Sequence, residues 1–416
     1  MSKTNSLIQL LKSVKAVTSN VRYKIEYYLH ANKAHAWHKL KGGTTSSRLL
    51  RHASYNWQAL TPPAGSRPDR QAIFVAYHPG RKVPLSTINY LQSLINCGFE
   101  ITYIHNGPLD SELRASAEKY CVQIICRENI GQDFGAWKDS LIDGFKNNRY
   151  HQVNWLLLCN DSNFFLKTNA KYFENEFSNA LGEEDIDLIT LNKNLEIAPH
   201  YQSYFICYHK RLFLNANFIQ FWHQYRPLSN RHHAIAKGEM RLTSCITNSA
   251  RSKILYNWPD LYIELSHTAL KRSEFYSLLP KGCMYLAKDA LDTDTAEAIV
   301  NKLELHRAFM ILELHNPSHA FALLFSRHCK SPFLKKDIVK HGCYSIAQIT
   351  DLLISLNIEK DSEEWNEILN YYILAGNNSS YLSNAKEAYK QGVPLRGQQF
   401  RGHGNLMSDM GLTTNE

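Results

Sequence analysis

The stretch RENIGQDFGAWKDSL (Arg127–Leu141), read with the apolar run WLLLCNDSNFF (Trp155–Phe165), decides the fold. The first piece reads as strand end, glycine turn, acid and helix start. Gly131 and Gly135 permit positive φ or close backbone approach. The helix beginning near Phe134 offers free N–H groups to an anion. The second piece is apolar without alternation, the mark of a strand buried on both faces. It delivers Asn160, Asp161 and Ser162 at its carboxyl end, the edge where open α/β sheets bind ligands. Asp133 and Asp161 are therefore predicted to converge where a nucleotide and its metal sit. Plainer roles stay open: Asp133 as a helix N-cap, and Asn160-Asp161-Ser162 as a turn.

Outward from there the chain alternates strand and helix patterns. Ala72–Tyr77, Phe99–His105, Val122–Cys126, Val153–Cys159 and Ile186–Leu191 read as strands. Leu85–Cys97, Ser111–Tyr120 and Phe134–Phe145 read as the helices between them. This order predicts an α/β fold with a mainly parallel sheet, right-handed crossovers and flanking helices. Gln202–Tyr208 reads as a further strand, Lys210–Tyr225 as a helix, and Gly238–Ala250 as a helix opened by Glu239. From Asp292 the pattern is helical, with caps at Ser345 and Asp361. The expected organisation is a basic helical region 1–60, a linker 61–70, a main domain 71–290, a helical region 291–390 and a disordered tail 391–416.

The chain has 416 residues, 44% of them apolar, and no run near the ~20 residues that span a bilayer. Its N-terminus lacks the long apolar segment and cleavage site of a secretory signal. Its nine cysteines form no CxxC pair, and several lie in apolar runs, which suits reduced thiols in a cytoplasmic protein. Before residue 60 stand ten bases and one acid, Glu26, an excess equal to the net charge of +9. A base-rich region of this kind suits an anionic membrane surface, as a peripheral protein on the inner face of the cell membrane. No nucleic-acid recognition motif accompanies the bases.

Transfer from a sugar nucleotide requires a grip on a diphosphate, recognition of ribose and base, and a proton acceptor for the attacking hydroxyl. Mg²⁺ or Mn²⁺ needs only one or two protein carboxylates beside phosphate oxygens and water. Asp161, following the central strand directly, is the candidate metal or diphosphate acid. Asn160 and Ser162 are placed to orient it or the ribose. Gly131 and Asp133 form the anion-binding turn. Glu239 is the candidate general base, although an acid in a first helical turn also suits the macrodipole. His78 follows the first strand, His105 ends the second and His200 precedes QSYF; all three are placed to reach the cleft, although a lone histidine at a strand end is more often a hydrogen-bonded structural residue, and Asn106 follows the second strand. His232-His233 and His315–His319 lack zinc spacing.

These residues resemble the rhamnan synthesis protein F family. RENIGQDFGAWKDSL is similar to its Asn-x-Gly-x-Asp signature, and LLLCNDSNFF to its apolar strand with Asn-Asp-Ser. IAPHYQSYFICYHKRLF is similar to its His-x-x-Ser-Tyr-Phe segment, and GEMRLTSCI to its Glu-x-x-Leu-Thr helix. HNPSH followed by SPFLKKDI is similar to its Asn-Pro-Ser/Thr and Pro-Phe-x-Lys ending. The likeness runs from Ala72 to Val339. It implies a GT-A-like, Rossmann-like glycosyltransferase acting in rhamnose-containing polysaccharide or lipopolysaccharide O-antigen assembly, with inversion. Its motifs bring Asn129 and Ser203 into the nucleotide-sugar set. Asp161 takes the place of the metal-binding Asp-x-Asp, with one acid instead of two. Glu239 takes the first place of the catalytic Glu-Asp pair, with Met240 at the second. The implied partners are a nucleotide-sugar donor, a divalent cation and a lipid-linked glycan acceptor. A non-catalytic nucleotide-sugar or glycan-binding protein on the same scaffold is the alternative.

Overall fold

Residues 24–34, 36, 62–246, 250–281, 283 and 296–376 are described in the computed structural model. The expected tail 391–416 and most of the basic region 1–60 lie outside them. Strand β1 (Arg67–Ala76) forms the axis of a seven-stranded sheet ordered β10-β6-β9-β4-β1-β2-β3. Its other members are β2 (Phe99–Asn106), β3 (Gln123–Arg127), β4 (Trp155–Asn160), β6 (Leu188–Thr190), β9 (Phe205–His209) and β10 (Ser252–Ile254). β1, β2, β3 and β4 are mutually parallel, and β10 is parallel to β6. β9 alone runs against its neighbours β4 and β6. The fold is thus the mainly parallel α/β sheet with flanking helices that the sequence predicts. Two short ladders stand outside it, β5 (Asn163–Phe165) with β11 (Phe333–Lys335), and β7 (Lys193–Asn194) with β8 (His200–Tyr201).

The unbroken apolar run of β4 follows from its place. Trp155, Leu157 and Cys159 face one core while Leu156 and Leu158 face the other. β1 divides likewise, with Ala72, Phe74 and Ala76 on the first side and Ile73 and Val75 on the second. The second side is covered by the Gln132–Lys146 helix through Phe134, Trp137 and Leu141, and by Phe218 and Trp222.

Three expectations are corrected. β1 begins at Arg67, inside the stretch expected to be linker. The helix expected from Lys210 breaks at Leu214, because the Asn215 side chain caps a new helix, Ala216–Gln224. The region after Asp292 is mainly helical, but it also supplies β11, which pairs with β5, and its aromatic residues pack into the core of the sheet. Phe309, Phe321, Tyr344 and Tyr372 share the core of Phe74, Phe165 and Phe205. Each such ring buried is worth ~1.5–3 kcal/mol, so four of them rival the ~5–15 kcal/mol net stability of a domain. All nine cysteines are free thiols. Among the described residues, no helix is long and apolar enough to cross a membrane.

Glu239 does not open a helix. Arg231–His233, a π-helical stretch Ala234–Glu239 and Met240–Ile246 form one continuous helix, capped by Asn230. Gly238 lies inside this helix and serves packing: a Cβ there would come within 2.8 Å of the Phe134 ring. Gly238→Ala gains about 1 kcal/mol of helix propensity and loses ~1–3 kcal/mol to overpacking. A net loss of stability is expected in denaturant unfolding, and a smaller one in a Phe134→Leu background; equal costs in both would refute the contact.

Candidate functional site

The carboxyl ends of β1 to β4 lie on one edge of the sheet. Because β9 is reversed, the residues before it arrive at that same edge, which brings Ser203 and Tyr204 beside Asn160. The Asn160 amide donates to the Tyr204 carbonyl at 3.3 Å. A cavity of about 170 Å³ opens to solvent there. It is lined by Gly131, Asp133, Asn160, Ser162, Ser203 and Glu239 among the predicted residues, with Gln202, Arg231, His319, Lys335 and Asp337. Ligand pockets typically run ~300–1,000 Å³, so this hollow suits the reacting end of a large ligand.

A hydrogen-bond relay crosses it. Lys335 Nζ donates to Ser162 Oγ at 2.7 Å. Ser162 Oγ donates to Asn160 Oδ1 at 2.6 Å, and the Ser162 N–H donates to the same oxygen at 3.1 Å. Asn160 Nδ2 then donates to Asp133 Oδ2 at 2.7 Å. The backbone N–H is an obligate donor, which fixes the amide orientation. Asn160–Ser162 thus makes a turn and a site together. Gly131, with φ +73°, starts the helix, and a Cβ there would lie 2.2 Å from the Pro227 Cβ. Asp133 therefore sits in the first turn and is not the N-cap. Burial and then the charge of Asp161 raise its pKa to about 7, against the Asn160 hydrogen bond, which lowers it.

Glu239 faces it from the opposite wall. Its Oε1 accepts from the Ser203 N–H at 3.2 Å and closely from the Ser203 hydroxyl. His200 Nε2 lies 3.4 Å from Oε2, and His200 Nδ1 bonds the Ala198 carbonyl at 2.7 Å. Both ring nitrogens thus face oxygen acceptors, an arrangement that favours the protonated ring. Burial pushes the His200 pKa down, but Glu239 more than offsets this and the net shift is upward. Burial pushes Glu239 up, yet His200 and Ser203 bring it below its ordinary value.

Other predicted residues are placed elsewhere. Asp161 is not among those lining this cavity. Its Oδ2 takes the Tyr77 N–H at 3.3 Å and lies 3.4 Å from His78 Nδ1. It occupies the switch point between β1 and β4, close enough to Asp133 to raise that pKa. Burial drives His78 down to about 4, so it is neutral, and its N–H donates to His105 Nε2 at 3.0 Å. Asn106 is structural: its Oδ1 accepts from Arg127 Nη1 at 2.5 Å, and Arg127 pairs with buried Asp139 at 3.1 Å. Asn129 is exposed in the loop before Gly131.

Sequence reasoning missed the contribution of the later chain. The β5–β11 ladder puts Lys335 opposite Asn163 and its ammonium beside Ser162, 4.4 Å from the Tyr204 ring centre. Burial lowers the Lys335 pKa, although Asp337 and Glu239 pull the other way. Asp337 accepts from His319 at 2.8 Å and lies 3.2 Å from His341 and 3.6 Å from Arg231. Asn316 Oδ1 accepts from Gln202 Nε2 at 2.7 Å and from Ser318. Gln202 Oε1 is buried at the cavity wall with no donor among the described residues. The Asn316-Pro317-Ser318 and Pro332-Phe333-x-Lys335 motifs were the available signal.

Fold and site together define an α/β protein with a charged, ligand-sized hollow at the carboxyl edge of its sheet. Residues 101–303 match the model of the family described as Rhamnan synthesis protein F, as the motifs predict. The uncharacterized protein y4gN of Sinorhizobium fredii is 25% identical over 175 residues, 41% of this chain and 44% of that protein. The match thus spans less than half the length of that relative. Among solved structures, the mannosyltransferase PcManGT from Pyrobaculum calidifontis, in complex with GDP-Man and Mn²⁺, aligns with a TM-score of 0.31 and 12% identity over 85% of this chain and 96% of its own. The mannosyltransferase Ktr4p from S. cerevisiae aligns with a TM-score of 0.24 and 7% identity over 52% and 75%. Neither likeness, at these scores, carries the chemistry of those enzymes over to this chain.

The Asp133 shift has a sign that stability reports. Its folded-state pKa of about 7 lies above the ordinary 3.8, so the native state holds the proton longer and loses stability as pH rises between those values. Asp133→Asn removes that loss. Its melting temperature relative to wild type is expected to rise from pH 4 to pH 7 and to level off above; a pH-independent difference would refute the shift.

Proposed function

We propose that this protein is a glycosyltransferase that moves a sugar from a nucleotide-sugar donor to a growing cell-surface polysaccharide or lipopolysaccharide O-antigen, with rhamnose as the sugar. The observation that carries this reading is the relay from Lys335 through Ser162 and Asn160 to Asp133. It holds a buried ammonium that, among the described residues, has no carboxylate within ion-pair distance on one side of the cavity, and an acid whose pKa is raised to about 7 on the other.

In this reading the acceptor oxygen attacks the anomeric carbon, and the bond from that carbon to the diphosphate oxygen breaks with its electron pair. Lys335, and Arg231 at the rim, receive the charge that develops on the diphosphate. The acceptor proton passes to a carboxylate. A general base works best with its pKa near the operating pH, which favours Asp133 over the sequence candidate Glu239, whose two oxygens are already engaged. Glu239 then positions Ser203 against the donor. A single in-line displacement of this kind inverts the anomeric centre.

Among the described residues, no group of three or more His, Cys, Asp or Glu side chains is arranged to hold a metal ion. A diphosphate-bound cation asks for less. Asp161 fits one: among the described residues its Oδ2 is engaged and its other oxygen has no partner, and its charge reaches Asp133. Asp161 would hold such a cation, Mg²⁺ or Mn²⁺, which would supply neutralisation of diphosphate charge. The acceptor is taken to be lipid-linked, at the cytoplasmic membrane face, in keeping with the basic region 1–60. The alternative, a nucleotide-sugar-binding protein without turnover, draws on the engaged oxygens of Glu239 and the single acid at the Asp-x-Asp position.

Purified full-length protein is to be screened against nucleotide sugars with and without Mn²⁺ or Mg²⁺. The true donor, at 100 times its Kd, stabilises by about 2.7 kcal/mol. Lys335→Ala is expected to abolish that stabilisation. Asp133→Asn is expected to keep it while lowering kcat ~10²–10⁴-fold, the usual worth of a general base. Full transfer by Asp133→Asn would remove the mechanism, and binding without transfer would install the alternative.

A further inference from the structure

The 231–246 helix does more than carry Glu239. Arg231, Ala234, Ile235 and Glu239 line the central cavity. His232, Ala236 and Met240 meet the 24–34 helix, where Tyr27 and Ala31 are buried against them. His233, Lys237 and Arg241 line a second cavity, of about 100 Å³, closed by Phe221, Gln224, Tyr225 and Arg226. The two cavities are thus separated by the thickness of one helix.

The second cavity is built for negative charge. Arg226, Lys237 and Arg241 line it, and among the described residues no carboxylate does. Among the described residues, none of the three is within ion-pair distance of an acid, whereas Arg211, Arg231, Arg251 and Lys253 nearby in the chain all are. Arg241 is oriented by its hydrogen bond to Gln224 Oε1 at 3.1 Å. Behind the wall a fourth cation, Lys138, donates to the carbonyls of His223 and Tyr225. Like charges held together without counter-charge repel, and an oxyanion relieves that repulsion through charge-assisted hydrogen bonds. The hollow, of about 100 Å³, is smaller than the central cavity, and a phosphate group is a compact oxyanion able to meet three cations at once.

We propose that Arg226, Lys237 and Arg241 form a phosphate-binding site distinct from the central cavity. Its ligand is a phosphate group, either free or carried on a lipid. The site stands independently of the proposed transfer reaction.

The test uses the full chain and the variant R226Q/K237Q/R241Q, in which two exposed residues and the half-buried Lys237 are exchanged. Thermal shift is measured with inorganic phosphate against chloride at equal ionic strength, and sedimentation with phosphatidylglycerol vesicles against phosphatidylcholine vesicles. Wild type is expected to be stabilised by phosphate over chloride, or to sediment with the anionic vesicles, with at least a tenfold weaker response in the variant. A response to soluble phosphate alone that the variant loses identifies a free phosphate, and a vesicle response that the variant loses identifies a lipid phosphate; vesicle binding that the variant keeps belongs to region 1–60. Lys335→Ala serves as the control, and is expected to keep both responses while losing donor stabilisation. Equal responses in wild type and variant, or no response of wild type to either probe, overturn the proposal. If the variant melts below wild type without ligand, the single exchanges R226Q and R241Q are compared by the same ratio.

Discussion

The side-chain amide of Asn160 is the contact on which the site depends. It has two ends and no freedom. Its oxygen is claimed by the N–H and hydroxyl of Ser162, so its nitrogen must point at Asp133. Through that one group the end of β4, the first turn of the Gln132–Lys146 helix and the β5–β11 ladder hold a common geometry. A buried amide with both ends satisfied is rigid because any rotation strands a donor or an acceptor, at ~1–3 kcal/mol each. The electrostatics follow. Asp133 is held close to a cation at one remove and close to a second carboxylate, and its proton affinity is set by that balance.

The two acids on opposite walls show how environment separates similar side chains. Glu239 meets a buried imidazolium and a serine, and stays ionised. Asp133 meets an amide, a distant ammonium and another acid, and keeps its proton to near neutrality. Burial alone would raise both. The difference lies in the partner: a charged donor for one, a neutral donor for the other. Paired groups with separated proton affinities are the usual arrangement where protons change hands.

Much of this was legible in the chain. β4 announced itself because a strand buried on both faces leaves no room for polar alternation. Gly131 and Asp133 were legible because a turn that enters a helix has few chemical solutions. The reversal of β9 was not, since an apolar strand reads the same in either direction; with it went the reason why Ser203 reaches the site. The orientation of Asp161 toward His78 is a matter of rotamer, which spacing does not encode. Lys335 was hidden by distance: a three-residue strand in a helical region carries almost no periodic signal.

That distance has a consequence for how the molecule matures. Lys335 meets Ser162 across 173 positions of chain. Contacts between remote segments bear the largest loop-closure cost and set the pace of folding. Until the β5–β11 ladder closes, the mouth of the cavity lacks the Lys335 ammonium and keeps Arg231 as its basic group, so the grip on an anionic ligand is completed only when the two remote segments meet.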